Sequence, residues 1–195
     1  PIKRIFLGAQ VVPPTDWLKV QVDGRASSYF EWLGAGYYST SLRGGAMYGQ
    51  MHFMGEIYYG FDEEHLYVRI DPLREAFAQL RDCEFQLVFE AGAAVKLIVR
   101  VHDGKLVSFS AEQDGKESTL LKEHFSVAVG KVIEASLARR ALALAGHRAI
   151  RFSASLWREG MALDLVPREG SIELPLGEDS FAWPIEPAQG AAPTK

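Results

Sequence analysis

Short runs in which apolar and polar residues alternate are the feature that most constrains how this chain of 195 residues folds. Successive side chains of a β-strand point to opposite faces, so alternation indicates a strand with one buried face. The clearest runs lie at 66–71, 95–102, 150–156 and 172–176. They predict an all-β protein whose strands share one core. The residues that we expect to face this core are Leu66, Val68, Phe85, Leu87, Leu97, Val99, Phe152 and Leu156.

Turn residues separate these runs and predict local strand pairing. Asp103-Gly104 and Asp114-Gly115 are dipeptides that suit two-residue hairpin turns, in which the backbone adopts positive φ. Residues 61–65 form a slightly longer connection between two further alternating runs. Consecutive strands joined in this way predict an antiparallel β-sandwich of the immunoglobulin-like or jelly-roll-like kind.

Two short connecting helices are predicted between the strands. One begins near Asp71 and Pro72, which suit a helix cap and a first helical position, and extends to Arg81. The other begins at Leu137, has Leu137, Ala141 and Leu144 at helical spacing, and ends at Gly146. We expect residues 1–187 to form a single β-sandwich domain and residues 188–195 to be a flexible C-terminal tail.

Composition excludes several classes of partner. The 25 acidic and 21 basic residues are spread along the chain, so no basic stripe is available for nucleic acid. The apolar stretches are shorter than the roughly 20 residues that span a bilayer, so no membrane partner is expected. Cys83 is the only cysteine and lies in an alternating run, which predicts a core position without a disulfide. The missing leader and disulfides favour a cytoplasmic location.

Neither a metal site nor a catalytic centre is predicted, and no cofactor is expected. The five histidines are scattered, and none pairs with another at the i, i+4 spacing of two ligands on one helix face. Glu31, Glu56 and the acidic turn at 62–64 are the carboxylates that a glycosidase pair would need. Acidic turns are more typical of solvated tips, and a carboxylate among aromatics is more typical of a tyrosine partner.

Aromatic residues are concentrated in one part of the chain. All seven tyrosines fall between positions 29 and 67. A rigid ring with a polar tip provides a flat apolar face for a sugar and a hydroxyl for its hydrogen bonds. The alternative is that the same rings fill the core and its rim. As carbohydrate-binding residues we predict Trp32, Tyr37, Tyr38, Tyr48, Tyr59 and Trp157.

Several stretches carry a family resemblance. Val-Pro-Pro-Thr-Asp-Trp at 12–17, Phe-Glu-Trp-Leu-Gly-Ala-Gly at 30–36, and the segments 58–71 and 165–174 resemble the C-terminal sandwich region of bacterial proteins related to glycoside hydrolase family 57. More broadly, the chain is similar to carbohydrate-binding module family 9 and to the glucodextranase C-terminal domain. It departs from the pattern at Leu165 and Val166, where members carry a charged pair.

The resemblance implies a function without catalysis. The catalytic acids of family 57 lie in a separate (β/α) barrel, so it implies that this chain is not itself an enzyme. We expect a carbohydrate-binding or accessory domain of a polysaccharide-processing protein. Its partners would be a glycan, such as an α-glucan, and the catalytic barrel of the same polypeptide. One alternative is a purely structural domain that packs on this barrel, and another is an independent glycosidase with paired carboxylates.

Overall fold

Antiparallel β-strands dominate the computed structural model, which describes residues 11–26, 29–39, 52–73, 78, 80–142, 144 and 146–176. In chain order the strands are β1 (Val11–Val12), β2 (Gly36–Ser39), β3 (Met54–Phe61), β4 (His65–Pro72), β5 (Asp82–Ala91), β6 (Ala93–His102), β7 (Lys105–Gln113), β8 (Lys116–Glu117), β9 (Phe125–Val129), β10 (Ile133–Ala138), β11 (Ala149–Arg158), β12 (Met161–Val166) and β13 (Ile172–Pro175).

These strands form two sheets that pack face to face. Among the described residues, the first sheet has six strands in the order β1-β2-β3-β4-β10-β9. The second has seven strands, with β12-β11-β5-β6-β7-β8 in order and β13 paired to β11. All of these pairings are antiparallel. The predicted all-β antiparallel sandwich is confirmed.

One hydrophobic core fills the space between the sheets. Tyr59 of the first sheet and Phe152 of the second meet edge to face, with ring centroids 5.1 Å apart. Phe89 stacks on Phe152 at 6.2 Å and extends this aromatic group along the second sheet. All eight residues that the alternation placed in the core are buried there. Cys83 is buried as predicted, and burial raises the pKa of its thiol to about 11.

The hairpin turns follow the sequence prediction. Asp103 and Gly104 have φ of 46° and 71°, and Asp114 and Gly115 have φ of 50° and 77°. Both residues of each turn therefore adopt the left-handed conformation that a two-residue hairpin requires. Residues 61–65 connect β3 to β4, which pair as expected.

The predicted starts of both connecting helices were wrong. Asp71 and Pro72 end β4, while residues 74–77 and 79 lie outside the described residues. Leu137 belongs to β10, because this strand pairs with β4 and β9 on its two sides, and a 3₁₀ turn at Arg139–Ala141 follows it. A short helix that was not predicted, α1 (Thr119–Lys122), begins where the Ser118 hydroxyl accepts a hydrogen bond from the Leu121 N–H.

Residues 13–26 cover the outer face of the first sheet, and we call them the cover segment. The Leu18 N–H donates to the carbonyl of Phe61 at 3.0 Å, which ties the segment to β3. Leu18 packs with Trp32 and Tyr67 in a second, smaller hydrophobic cluster. The first sheet is therefore buried on both faces at this point.

Other sequence predictions fall partly outside the described region. The C-terminal tail at 188–195 lies outside it. No helix in the described residues is both long and apolar enough to cross a membrane.

Replacing Gly36 by alanine is expected to lower the free energy of unfolding by about 1–3 kcal/mol, because the site has no room for a methyl group. A Cβ at this position would lie 2.7 Å from the Val12 carbonyl oxygen and 2.7 Å from the Tyr59 ring. Chemical denaturation of the two proteins gives the difference. Ser126→Ala, at an exposed position of the same sheet, is the control and should change the value by less than about 0.5 kcal/mol. An equally small effect of Gly36→Ala would contradict this packing.

Candidate functional site: an open cleft on the second sheet

The structure buries half of the residues predicted to bind carbohydrate. Trp32, Tyr38 and Tyr59 are 7%, 4% and 0% exposed, so their ring faces are covered by protein. The expectation of an exposed platform is corrected for these three. Tyr59 is a core residue whose hydroxyl donates to the Val12 carbonyl at 2.8 Å. Tyr48 lies outside the described residues.

Tyr37 and Trp157 are the predicted residues whose rings are partly exposed. Tyr37 lies on β2, with its ring centroid 6.4 Å from that of Tyr58. Trp157 lies near the end of β11 on the outer face of the second sheet. The two residues are thus on different sheets, and the structure does not bring them together. Binding of a glycan stays a prediction for both.

Trp157 lines an open cleft on the outer face of the second sheet, with a volume of about 550 Å³. The floor of the cleft comes from neighbouring strands β11, β5 and β6, and the turn between β11 and β12 forms one wall. Its lining residues are Asp82, Cys83, Glu84, Gln86, Arg100, Val101, Val107, Trp157, Arg158, Glu159 and Gly160. We call it the Trp157 cleft.

Local strand geometry sets the direction of the Trp157 ring. The indole N–H donates to the hydroxyl of Ser155 at 2.8 Å, two residues earlier and therefore on the same face. The pairing of β11 with β12 is irregular at this point, because Leu163 has no partner between the pairs Leu156–Asp164 and Trp157–Ala162. Such bulges redirect side chains at sheet edges. The ring is thus held in place while part of its surface remains open to solvent.

A row of polar side chains extends from Trp157 across the sheet. Glu84 is the β5 residue opposite Trp157, and Arg100 is the β6 residue opposite Glu84. The Arg100 Nε lies 3.4 Å from one Glu84 oxygen, and the Gln86 amide donates to the other at 2.6 Å. With strands about 4.8 Å apart, the row from Trp157 to Arg100 spans about 10 Å.

This row offers two kinds of contact to a small polar ligand. Part of the Trp157 ring can pack against an apolar face. Carboxylate, amide and guanidinium groups beside it can accept and donate hydrogen bonds. A ring with polar groups next to it suits a sugar, which has apolar C–H faces and a hydroxyl edge.

Sequence reasoning found Trp157 but missed the residues beside it. The alternation of Phe85 and Leu87 already placed Glu84 and Gln86 on the opposite face of β5. Arg100 becomes their neighbour only through the β5–β6 hairpin, whose turn is Gly92 with φ of 80°. Recognising that turn would have set the register and brought Glu84 opposite Arg100.

Two of the carboxylates considered for catalysis, Glu56 and Asp62, have hydrogen-bond partners of their own. Glu56 accepts a hydrogen bond from the Tyr58 hydroxyl at 2.6 Å, and Asp62 accepts one from Tyr67 at 2.7 Å. Asp62 also caps its own turn, through the N–H groups of Glu64 and His65. These contacts match the tyrosine-partner interpretation. Among the described residues, no three His, Cys, Asp or Glu side chains are grouped so that they could hold a metal ion.

Comparisons of the chain with protein-family models, with curated proteins and with solved structures find no match. The sheet topology alone defines the class of this protein, which is the all-β antiparallel sandwich. The resemblance to family 57 stays a prediction from the sequence.

Proposed function

We propose that this chain is a non-catalytic carbohydrate-binding domain and that the Trp157 cleft is its sugar site. The observation that supports this most is the half-buried Trp157 ring, held by Ser155 beside the Glu84–Arg100 pair. A sugar ring would pack on the exposed part of the indole, and its hydroxyls would bond to the polar row. No bond is broken in this function. An open cleft with one aromatic ring fits weak binding of a short glycan, with a dissociation constant near the millimolar end, or about −4 kcal/mol.

In the proposed full-length protein, this domain lies beside the catalytic domain of a glycoside hydrolase. This part of the proposal is supported by the sequence resemblance alone. In such a protein the domain would hold an α-glucan or another polysaccharide near the catalytic barrel, and avidity would compensate for weak binding at the single site.

Replacing Trp157 by alanine is expected to remove most glycan binding, because a sugar can stack only on the indole ring that this substitution deletes. Titration with maltooligosaccharides, β-glucan and xylan oligosaccharides, followed by tryptophan fluorescence and NMR, measures the effect. We expect at least a tenfold loss of affinity, or about 1.4 kcal/mol. Thermal unfolding should change little, because the removed ring is partly exposed.

Tyr37→Ala is the matched control, since Tyr37 is the other predicted residue with a partly exposed ring. It should leave binding unchanged. Loss of binding in Tyr37→Ala but not in Trp157→Ala would move the site to the first sheet and contradict the proposal. A lack of response to every glycan would contradict carbohydrate binding altogether.

A specific observation also favours the alternative function of an interaction domain. Phe30 and Leu33, in and next to the 3₁₀ turn at Tyr29–Trp32, are 79% and 53% exposed. Large apolar side chains exposed close together are typical of surfaces that contact another protein domain. The same titration separates the two functions, because a purely structural domain would bind none of the glycans.

A further inference from the structure

We infer that Glu84 makes the Trp157 cleft selective for neutral sugars, by occupying the guanidinium that would otherwise bind a sugar carboxylate. The inference rests on the proposed function and goes beyond it by naming the class of sugar and the residue that selects it. The ligand expected is a neutral oligosaccharide, and the ligand excluded is one built from uronic acids.

The first argument is the geometry of the pair. Glu84 and Arg100 face each other across β5 and β6, with an Nε–O distance of 3.4 Å. The Glu84 side chain is 28% exposed and that of Arg100 is 50% exposed, so the pair is open to a ligand. Gln86 holds the second Glu84 oxygen at 2.6 Å and fixes the carboxylate in this position.

The second argument is the charge of the cleft. Its lining contains three carboxylates, those of Asp82, Glu84 and Glu159, against the two guanidiniums of Arg100 and Arg158. Arg158 lies 3.9 Å from Glu159, so each guanidinium has a carboxylate within ion-pair distance. An anionic ligand that binds either cation must therefore displace a carboxylate or lie beside it as a second negative charge.

Because both guanidiniums are paired with carboxylates, the cleft is unfavourable for binding a uronate. Its carboxylate would have to displace Glu84 from Arg100 or lie beside Glu84 as a second negative charge. A neutral sugar hydroxyl has no such conflict, because it can donate to Glu84 and accept from Arg100 at once. Arg100 freed of Glu84 would be a strong carboxylate ligand, since guanidinium–carboxylate hydrogen bonds are charge-assisted.

The chain contains a matched pair for a control. Glu90 and Arg151 face each other on the same sheet, between the same strand β5 and its other neighbour β11, at 3.5 Å. Neither residue lines the cleft. Glu90→Gln therefore removes the same charge from the same face without touching the proposed site.

The test compares Glu84→Gln, Glu90→Gln and the unchanged protein by calorimetric titration. The neutral probes are maltotriose, cellotriose and xylotriose, and the acidic probe is trigalacturonate. We expect the unchanged protein to bind at least one neutral trisaccharide, and to bind trigalacturonate at least about tenfold more weakly. In Glu84→Gln the affinity for trigalacturonate should rise about tenfold and fall again with added salt. Glu90→Gln should behave as the unchanged protein.

Three outcomes would overturn the inference. If trigalacturonate binds the unchanged protein as tightly as the neutral sugars do, Glu84 does not make the cleft selective for neutral sugars. An unchanged affinity for trigalacturonate in Glu84→Gln would show the same, provided that thermal unfolding confirms a folded variant. Either result leaves carbohydrate binding itself standing. If no probe binds any of the three proteins, the proposed function fails and the inference fails with it.

Discussion

Replacing Phe152 by alanine is expected to lower the free energy of unfolding by about 3–5 kcal/mol. Phe152 is 1% exposed and contacts Tyr59 of the opposite sheet, with ring centroids 5.1 Å apart. It also stacks on Phe89 at 6.2 Å. The substitution removes a ring at the contact between the sheets and leaves a cavity that close-packed neighbours can fill only in part. Urea denaturation followed by tryptophan fluorescence measures the loss.

Phe30→Ala is the matched control for this prediction. It deletes the same ring from a position that is 79% exposed, so the unfolding free energy should change by less than about 0.5 kcal/mol. Similar effects at the two positions would contradict a core between the sheets at Phe152.

Replacing Glu134 by alanine is expected to lower the free energy of unfolding by about 2–4 kcal/mol, because it leaves two backbone donors without an acceptor. Glu134 is 0% exposed and lies on β10. One of its oxygens accepts the N–H of Asp23 at 3.0 Å and the N–H of Gly24 at 2.9 Å. These bonds fasten the cover segment to the outer face of the first sheet.

Glu134→Gln distinguishes the hydrogen bonds from the charge. The amide oxygen can still accept from both N–H groups, so the loss should be smaller than in the alanine variant. Equal losses would contradict the role of the acceptor. A loss in Glu134→Ala no larger than that of Glu117→Ala, at an exposed position, would contradict the fastening itself.

The Glu134 carboxyl also gives the stability of the unchanged protein a characteristic pH dependence. Burial raises the pKa of the Glu134 carboxyl, although the hydrogen bonds from Gly24 and Asp23 act in the opposite direction. A carboxyl with a raised pKa binds its proton more tightly in the folded protein than in the unfolded chain. Its contribution to stability is therefore present below the ordinary carboxyl pKa and is lost as the pH rises through the raised value. Glu134→Gln should lack this contribution.

Local sequence was sufficient for the clearest strands and their buried faces. Side chains alternate along a strand with a period of two, so Leu66 and Val68 or Phe85 and Leu87 had to share one face. The Asp103-Gly104 turn was equally clear, because few residue pairs tolerate two positive φ values. Local sequence was not sufficient at Leu137, where helical spacing was outweighed by pairing with strands on both sides.

The aromatic residues between positions 29 and 67 show which property of the site the sequence could not predict, namely the exposure of each ring. Because side chains alternate along a strand, one tyrosine of each adjacent pair faces away from the core, and Tyr37 and Tyr58 do so. Alternation could not predict that residues distant in sequence would cover this outer face and bury Trp32 with Leu18 and Tyr67. The hydrophobic pattern of a single strand does not reveal whether another segment lies on top of it.

The sequence by itself determined that this protein is an antiparallel sandwich, because the two-residue period marks the strands and the hairpin turns join them in order. The same period puts Trp157 on one face of its strand with Ser153 and Ser155. Only the tertiary structure decided which aromatic rings remain accessible. It covered the first sheet with residues 13–26 and placed Glu84 and Arg100 beside Trp157 on the second. These relations depend on strand register and on contacts between distant segments, which short-range periodicity does not encode.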